Sequence, residues 1–278
     1  MNLPPSVSPA LPLSEQQGQT FPYLVRLMQR LLAPGGCPWD REQTPQTLKR
    51  YVLEEACEVI DAIDSGDPQA LCDELGDLAL QVAFLAELAR AQGQFGPDDV
   101  VRAISEKLVR RHPHVFADTQ VKDSADVLKN WDAIKKTEKG GRPLLDGVPR
   151  ALPALQRAQR MSEKVAKVGF DWPNAAGSRA KVTEELGELD EAIAGADRNH
   201  VQEELGDVLF ALVNLARHLK IDADAALRGT CERFVKRFSG VEKRVTEKHG
   251  GWPSGDDSQK LPLEELDEYW EKAKLEEI

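Results

Sequence analysis

The chain lacks an apolar run that approaches the roughly 20 residues needed to cross a bilayer. Its four cysteines are scattered and form no Cys-x-x-Cys pair, so neither a zinc site nor a disulfide framework is indicated. A net charge of −11 at pH 7 leaves no basic excess for binding the phosphates of duplex nucleic acid. We therefore expect a cytoplasmic protein that binds neither membranes nor duplexes.

The sequence also lacks convincing runs of alternating apolar and polar β-branched residues, which predicts an all-α fold. Residues 1–20 are rich in Pro, Ser and Gln but have neither the basic nor the apolar region of a signal peptide. We expect this segment to be a disordered tail.

The length of 278 residues suits two domains of roughly 100–150 residues each. Gly140, Gly141 and Pro143 form the clearest break in the helical pattern. We therefore predict a first helical domain at 21–139, a linker at 140–150 and a second helical domain at 151–278. The predicted helices are 22–32, 44–65, 68–92, 97–111, 125–139, 151–168, 175–195, 199–219, 223–248 and 263–277.

An acidic pattern occurs twice, in which Glu-Glu-x-x-Glu is followed after fifteen residues by Glu-Leu-Gly-Asp. The differences 184 − 54 and 207 − 77 both equal 130, so all five positions keep one register. The first copy is Glu54, Glu55, Glu58, Glu74 and Asp77, and the second is Glu184, Glu185, Glu188, Glu204 and Asp207. Such register favours two tandem copies of one cation-binding module.

An acidic face that is merely solvated is the simpler interpretation of Glu54, Glu55 and Glu58 on one amphipathic helix. The next helix argues against it, because Glu74 and Asp77 open a run that is otherwise almost entirely apolar. Charged residues are rarely buried unless they are paired or bind a metal ion. The glycine between the two acids of each copy suggests close approach of a helix or ligand, since it costs about 1 kcal/mol relative to Ala.

Carboxylates that converge in this way repel one another, by about 4 kcal/mol for a pair at 4 Å and an effective dielectric constant near 20. Divalent cations remove that repulsion, and ligands that are all oxygen favour Mg²⁺ or Mn²⁺. A ferritin-like di-iron site would need Glu-x-x-His, and an EF-hand would need Asp-x-Asp-x-Asp-Gly; neither occurs at these positions.

Basic and aromatic residues also recur in both halves at helical spacing. Lys107 and Arg111 correspond to Arg233 and Arg237, and Trp131 and Lys135 correspond to Trp270 and Lys274. Any one of these could be an ordinary surface residue, but basic residues one helical turn apart can clamp phosphate oxygens. A nearby Trp can stack on a base or sugar.

From about Phe21 onward the chain resembles the tandem-domain MazG proteins among the all-α nucleoside triphosphate pyrophosphohydrolases. The stretches that carry the resemblance are 36–44, 53–62, 111–116 and 203–207, together with the repeated acidic motif. The resemblance implies Mg²⁺-dependent hydrolysis of nucleoside triphosphates to monophosphate and pyrophosphate, a housecleaning role in the nucleotide pool, and a homodimer.

The resemblance also implies roles for individual residues. The metal ligands would be Glu55, Glu58, Glu74 and Asp77 in the first half, and Glu185, Glu188, Glu204 and Asp207 in the second. Glu54 and Glu184 would orient or deprotonate the attacking water. Phosphate or nucleotide would contact Arg233, Arg237, Trp270 and Lys274, although Arg233 stands where a Lys is commoner. Lys107, Arg111, Trp131 and Lys135 are their counterparts in the first half.

Both halves retain the complete acidic set, so either can be active, with a slight preference for the second because its basic pair consists of two arginines. One alternative function is a helical regulator that binds nucleotide or a protein without turnover. Another is an enzyme for one deoxynucleotide or a damaged base.

Overall fold

The computed structural model describes residues 20–139, 141, 143–253 and 260–276, apart from the side chains at positions 132, 136 and 139. Helices account for every regular element in this part of the chain, so the prediction of an all-α fold is confirmed. The predicted N-terminal tail lies outside the described residues except for Thr20. No helix in the described ranges is long and apolar enough to span a membrane.

The chain divides into two compact units, Met1–Gly140 and Gly141–Ile278. The helices of the first unit are α1 (Phe21–Leu32), α2 (Pro38–Glu42), α3 (Pro45–Ser65), α4 (Pro68–Ala91), α5 (Pro97–Arg111), α6 (Pro113–Phe116) and α7 (Ser124–Lys139). The second unit begins with a short 3₁₀ helix (Leu144–Gly147) and continues with α8 (Ala154–Ala166), α9 (Ala175–Gly195), α10 (Arg198–His218), α11 (Ala223–His249) and α12 (Leu263–Leu275).

Each unit is built around one helix hairpin, α3–α4 in the first unit and α9–α10 in the second. Both hairpins turn in the same way. Asp67 and Asp197 cap the second helix by accepting a hydrogen bond from the backbone N–H two residues later, at 2.8 and 3.0 Å. The first helix ends in a left-handed residue, Gly66 (φ 69°) in one unit and Ala196 (φ 56°) in the other. These tight turns fix the register between the paired helices.

The core of the first unit forms where α1 packs on the α3–α4 hairpin. Met28, Leu48, Ala83 and Phe84 are buried there, surrounded by partly buried apolar side chains such as Tyr51. In the second unit α8 packs on α10, and α11 pairs with α12 around Val241, Val245 and Tyr269.

The helix ends differ from the predictions by up to three residues. The largest difference is at α8, which begins at Ala154 instead of Ala151 because a residue that precedes proline, here Leu152, is disfavoured in helical conformation. The short helices α2, α6 and the 3₁₀ helix were not predicted, since four or five residues are too few to show a period. The predicted end of the last helix, Glu277, lies outside the described residues.

Candidate metal centres and phosphate-binding groups

The first acidic cluster consists of Glu55 and Glu58 on α3 and Glu74 on α4. Each contributes a carboxylate oxygen, and these three atoms all lie within 4.8 Å of one another. The two α3 residues are three positions apart and therefore share one face of the helix. The tight turn at Gly66 and Asp67 brings the start of α4 back beside that face.

The second acidic cluster is built in the same way from Glu185 and Glu188 on α9 and Glu204 on α10. Its three carboxylate oxygens also lie within 4.8 Å of one another. Glu185 is 6% exposed, so the fold buries an ionisable group at this position. Each of these six glutamates is one that the sequence predicted as a metal ligand.

Two carboxylates of the first cluster, those of Glu55 and Glu74, have a raised pKa. Desolvation and then the charge of Asp77 raise the pKa of Glu55 above 4.5, although a hydrogen bond from Gln81 acts in the opposite direction. The pKa of Glu74 is raised by desolvation, then by the charges of Glu58 and Asp77. The proximity of these charged groups therefore destabilises the folded protein.

In the second cluster the pKa of Glu188 is raised, first by a hydrogen bond shared with Glu185 and then by desolvation. The charge of Glu204 acts in the same direction, whereas that of Lys181 lowers the pKa. Repulsion of this kind is what a bound cation relieves. The donor set, three carboxylate oxygens in each cluster, is also the chemistry that Mg²⁺ and Mn²⁺ prefer, and the residues present therefore fit such an ion.

The fourth predicted ligand of each set stands apart from the close group of three. Asp77 is near enough for its charge to raise the pKa of Glu55 and Glu74, but it is not within the 4.8 Å group. Asp207 is likewise outside the second group. Both are exposed, as are Glu54 and Glu184, the residues predicted to orient water.

Close approach of another helix does not explain the glycines between the acids. A Cβ added at Gly76 or Gly206 would meet no atom of the described residues within 4 Å outside its own helix backbone. The expectation of close helix packing there is therefore wrong within each unit, and space for a ligand or a second chain remains as the reason for the glycine.

Two residues beside the clusters were missed in the sequence, Gln81 and Lys181. The Gln81 amide donates to Glu55 Oε1 at 3.3 Å, and Lys181 Nζ lies 2.7 Å from Glu185 Oε1 and 2.8 Å from Glu184 Oε1. Both stand at positions where the repeat breaks down, because Gln81 corresponds to Ala211 and Lys181 corresponds to Tyr51. Gln81 lies four residues after Asp77, and Lys181 lies four residues before Glu185. This helical spacing was the signal in the sequence that could have identified both residues.

In the first unit the basic residues are joined to α7. Arg111 on α5 forms a salt bridge with Glu138, with Nη2 2.5 Å from Oε2. Hydrogen bonds from Arg111 and Arg110 lower the pKa of Glu138 to about 2. Lys135 lies over the ring of Trp131, with Nζ 4.0 Å from the centroid, so the structure does bring this predicted pair together. Lys107 is half-buried on α5.

Of the corresponding residues of the second unit, the structure brings Arg237 beside Trp270. The guanidinium carbon of Arg237 lies 5.9 Å from the centre of that ring, and Phe234 packs on it at 5.0 Å between centroids. Arg233 donates to Thr230 Oγ1 at 2.8 Å, and Lys274 Nζ lies 2.7 Å from Glu271. A cationic and aromatic surface of this composition suits a phosphorylated, ring-containing ligand.

Fold and site together define an all-α protein with two copies of a helix hairpin, each of which bears three clustered carboxylates. The MazG nucleotide pyrophosphohydrolase domain matches the chain twice, at residues 43–116 and 176–241. These ranges include both acidic clusters. The second range also contains Arg233 and Arg237, whereas Trp270 and Lys274 lie beyond it.

Proteins similar over their full length were also found. The nucleoside triphosphate pyrophosphohydrolase/pyrophosphatase MazG of Thermotoga maritima is 43% identical over 262 residues, which cover 94% of this chain and 98% of the relative. A nucleoside triphosphate pyrophosphohydrolase of Escherichia coli K12 is 44% identical over 92% of this chain and 97% of the relative. YabN of Bacillus subtilis, described as uncharacterized, is 44% identical, but the match covers 51% of that protein.

The chain belongs to the MazG nucleotide pyrophosphohydrolase family. The resemblance stated from the sequence is thereby confirmed, as are the tandem repeat and the class of enzyme. Enzymes of this family generally depend on a metal ion, and each unit has an acidic cluster that fits one.

Proposed function

We propose that this protein hydrolyses nucleoside triphosphates to nucleoside monophosphate and pyrophosphate, and so clears unwanted nucleotides, damaged ones included, from the cell. The oxygen of a water molecule would bond to one phosphorus of the α–β anhydride, and the bond from the bridging oxygen to that phosphorus would break. One proton of the water would pass to a base, and the other would remain on the new phosphate oxygen until it ionises in solution. The observation that carries the proposal is the pair of three-carboxylate clusters in a chain of this family.

The metal would be Mg²⁺, with Mn²⁺ as a substitute, held by Glu55, Glu58 and Glu74 in the first unit and by Glu185, Glu188 and Glu204 in the second. Asp77 and Asp207 would complete the ligand sets after a small movement. When bound, the ion would neutralise phosphate charge and make a coordinated water more acidic. The raised pKa of three of these glutamates supports this role, because a cation removes the repulsion that raises it.

The remaining predicted residues would act on the water and the phosphates. Glu54 and Glu184 would orient or deprotonate the water, since each is exposed one position before a cluster residue. The phosphates would be bound by Lys107, Arg111 and Lys135 in the first unit and by Arg233, Arg237 and Lys274 in the second. Trp131 and Trp270 would stack on the base or sugar. Positioning and charge neutralisation of this kind account for most of catalysis in phosphoryl transfer.

We assign one MazG domain to each unit, 21–139 and 151–278, and a homodimer to the whole chain. Support for the dimer comes from exposed apolar residues at matching positions of the two hairpins. Leu75 corresponds to Leu205 and Val82 to Leu212, and all four are exposed. Within each hairpin the two residues, Leu75 and Val82 or Leu205 and Leu212, are seven positions apart, which is the spacing of a helix–helix seam. The four cysteines are free, which agrees with the proposed cytoplasmic location.

Product analysis tests the proposed reaction. Purified protein would be incubated with ribo-, deoxy- and oxidised nucleoside triphosphates, with Mg²⁺ or with a chelator. We expect monophosphate and pyrophosphate in equal amounts and no turnover in the chelator. Glu55→Ala and Glu185→Ala would show which unit is active, and Glu191→Ala, an exposed acid on α9 outside the cluster, is the control. Nucleotide binding without turnover under any condition would favour the helical regulator instead.

A further inference from the structure

The two acidic clusters have the same carboxylates but different surroundings. The repeat offset of 130 aligns Tyr51 with Lys181 and Gln81 with Ala211. These two positions therefore hold chemically different residues in the two units, as does the position of His200, whose Nδ1 lies 3.4 Å from Glu204 Oε1 and which corresponds to Ala70. The differences decide how much negative charge each cluster presents to a cation.

In the second unit Lys181 places a positive charge directly on the cluster. It lies one helical turn before Glu185 on α9, and its Nζ bridges Glu185 Oε1 at 2.7 Å and Glu184 Oε1 at 2.8 Å. The Lys181 side chain is 33% exposed and that of Glu185 is 8% exposed, so water screens this pair less than it screens a surface pair. The ammonium group thus compensates part of the carboxylate charge.

In the first unit the corresponding contact is neutral. Tyr51 packs against the core cluster around Met28, and its ring centroid is 5.9 Å from that of Trp39. Glu55 instead accepts a hydrogen bond from the amide of Gln81, at 3.3 Å. The Gln81 side-chain oxygen is buried without a hydrogen-bond partner. An amide carries no net charge, and the first cluster keeps the charge that Lys181 offsets in the second.

We propose that Lys181 is an internal counter-ion that makes the second cluster a weaker divalent-cation site than the first. The inference rests on the metal-binding role assigned above. A cation that enters the second cluster has to displace the ammonium group or share Glu185 with it, whereas in the first cluster the described residues place the neutral amide of Gln81 against Glu55. The two repeated sites would then fill in sequence as the concentration of the metal rises.

Binding of Mn²⁺ to the full chain, measured by electron paramagnetic resonance without nucleotide, tests the inference. Glu55→Gln with Glu74→Gln leaves only the second cluster, and Glu185→Gln with Glu204→Gln leaves only the first. We expect the second cluster to bind Mn²⁺ about tenfold more weakly than the first. This factor corresponds to an ion pair of strength intermediate between an exposed and a buried one. All variants are measured at one pH and one ionic strength, so that their Mn²⁺ affinities can be compared directly.

Substitutions at Lys181 provide the decisive comparison. Lys181→Met should tighten Mn²⁺ binding at the second cluster about tenfold, and Lys181→Arg should leave it nearly unchanged because the charge remains. The matched control is Lys248→Met, which removes a lysine paired at 2.7 Å with Glu265, outside either acidic cluster. It should have no effect on the binding of Mn²⁺.

Two results would overturn the inference in distinguishable ways. If Lys181→Met folds normally by circular dichroism but binds Mn²⁺ no more tightly than the unsubstituted second cluster, Lys181 is not a counter-ion to the metal. If Mn²⁺ binding survives substitution of both clusters together, the metal-binding role itself fails, and this inference fails with it.

Discussion

At the scale of single residues, the carboxylates of the first cluster are arranged at the expense of stability. The pKa of Glu55 is higher in the folded chain than its ordinary value of 4.5, chiefly through desolvation. As the pH rises above 4.5, the unfolded chain loses this proton more readily than the folded chain does, and the free energy of unfolding falls. The loss is complete once the pH is above the folded-state pKa. This is the pattern of a functional site rather than of a stabilising one.

Replacement of that carboxyl by a neutral amide should therefore stabilise the metal-free protein. We predict that Glu55→Gln in chelator at pH 7 raises the melting temperature by about 1–3 °C, with the effect limited by screening at this partly exposed site. The gain should shrink as the pH is lowered to 4.5. Scanning calorimetry with and without Mg²⁺ would measure both effects, and Asp61→Asn, an exposed change on the same helix, is the control.

Addition of Mg²⁺ should make the wild-type chain melt at a higher temperature than the Glu55→Gln variant. The ion binds the folded wild-type chain and stabilises it by mass action, while the variant has lost a ligand. A variant that melts below the wild type in chelator would show that the Glu55 carboxylate is stabilising, contrary to this interpretation.

Beside these glutamates, Asp77 and Lys181 show the limits of sequence reasoning for single residues. Both acids of each Glu-x-x-Asp motif were predicted as ligands, yet the close group of three in each unit includes only the glutamate. Lys181 was not singled out, although it contacts two acids of the motif. Helical spacing predicts which residues share a face, but the reach and rotamer of each side chain depend on its neighbours in space.

At the scale of elements, the two hairpins differ in the residue that ends the first helix. Gly66 adopts a left-handed conformation at φ 69°, and Ala196 adopts it at φ 56° in the equivalent place. A side chain in this region costs about 1–2 kcal/mol. Glycine avoids that cost but loses more conformational entropy on folding than alanine does, which costs about 0.5–1 kcal/mol. The second hairpin therefore carries strain that the first avoids.

Relief of this strain is a direct test. We predict that Ala196→Gly increases the free energy of unfolding by about 0.5–1 kcal/mol, and that Gly66→Ala decreases it by a similar amount. Chemical denaturation followed by circular dichroism would measure both changes. An Ala196→Gly variant that is no more stable than the wild type would contradict the assignment of strain to position 196.

Paired helices in both units are joined by a carboxylate with a depressed pKa. Glu138 joins α7 to α5 through Arg110 and Arg111, and Glu265 on α12 accepts hydrogen bonds from Lys248 and His249 on α11. The pKa of each carboxyl is lowered to about 2. A depressed folded-state pKa adds stability that is present above 4.5 and is lost as the pH falls towards 2.

Removal of one such carboxylate should loosen only its own pair of helices. We predict that Glu138→Gln lowers the hydrogen-exchange protection of α7 a few-fold at pH 7 and leaves that of α12 unchanged. In the wild type, acid should weaken both pairs between pH 4.5 and 2. Unchanged protection of α7 in the variant would mean that apolar packing, rather than Glu138, holds this helix.

At the scale of the whole molecule, the exposed apolar residues at matching positions of the hairpins predict self-association. If the proposed dimer forms through this surface, Leu75→Lys combined with Leu205→Lys should yield a monomer, because burial of a lysine in an apolar seam is costly. Sedimentation velocity would measure the mass. Leu263→Lys, at an exposed leucine on α12 outside the two hairpins, is the control and should sediment like the wild type. A wild-type chain that sediments as a monomer would refute the proposed interface.

The sequence by itself determined the tandem all-α architecture and predicted the acidic positions from which the two clusters are drawn. Period, caps and repeat register are local properties, and they specify which residues share a helix face and which helices form a hairpin. The short helices α2 and α6 escaped prediction because they are too brief to show a period.

Only the tertiary structure decided which carboxylates come within 4.8 Å of one another, and which cation or amide lies against them. Those distances depend on how tightly each hairpin turns and on how its side chains pack. The same structure distinguished two sites whose acidic motifs are identical in spacing. A repeat in sequence conserves helix faces, whereas the charge that a site presents depends on every group that the fold brings beside it.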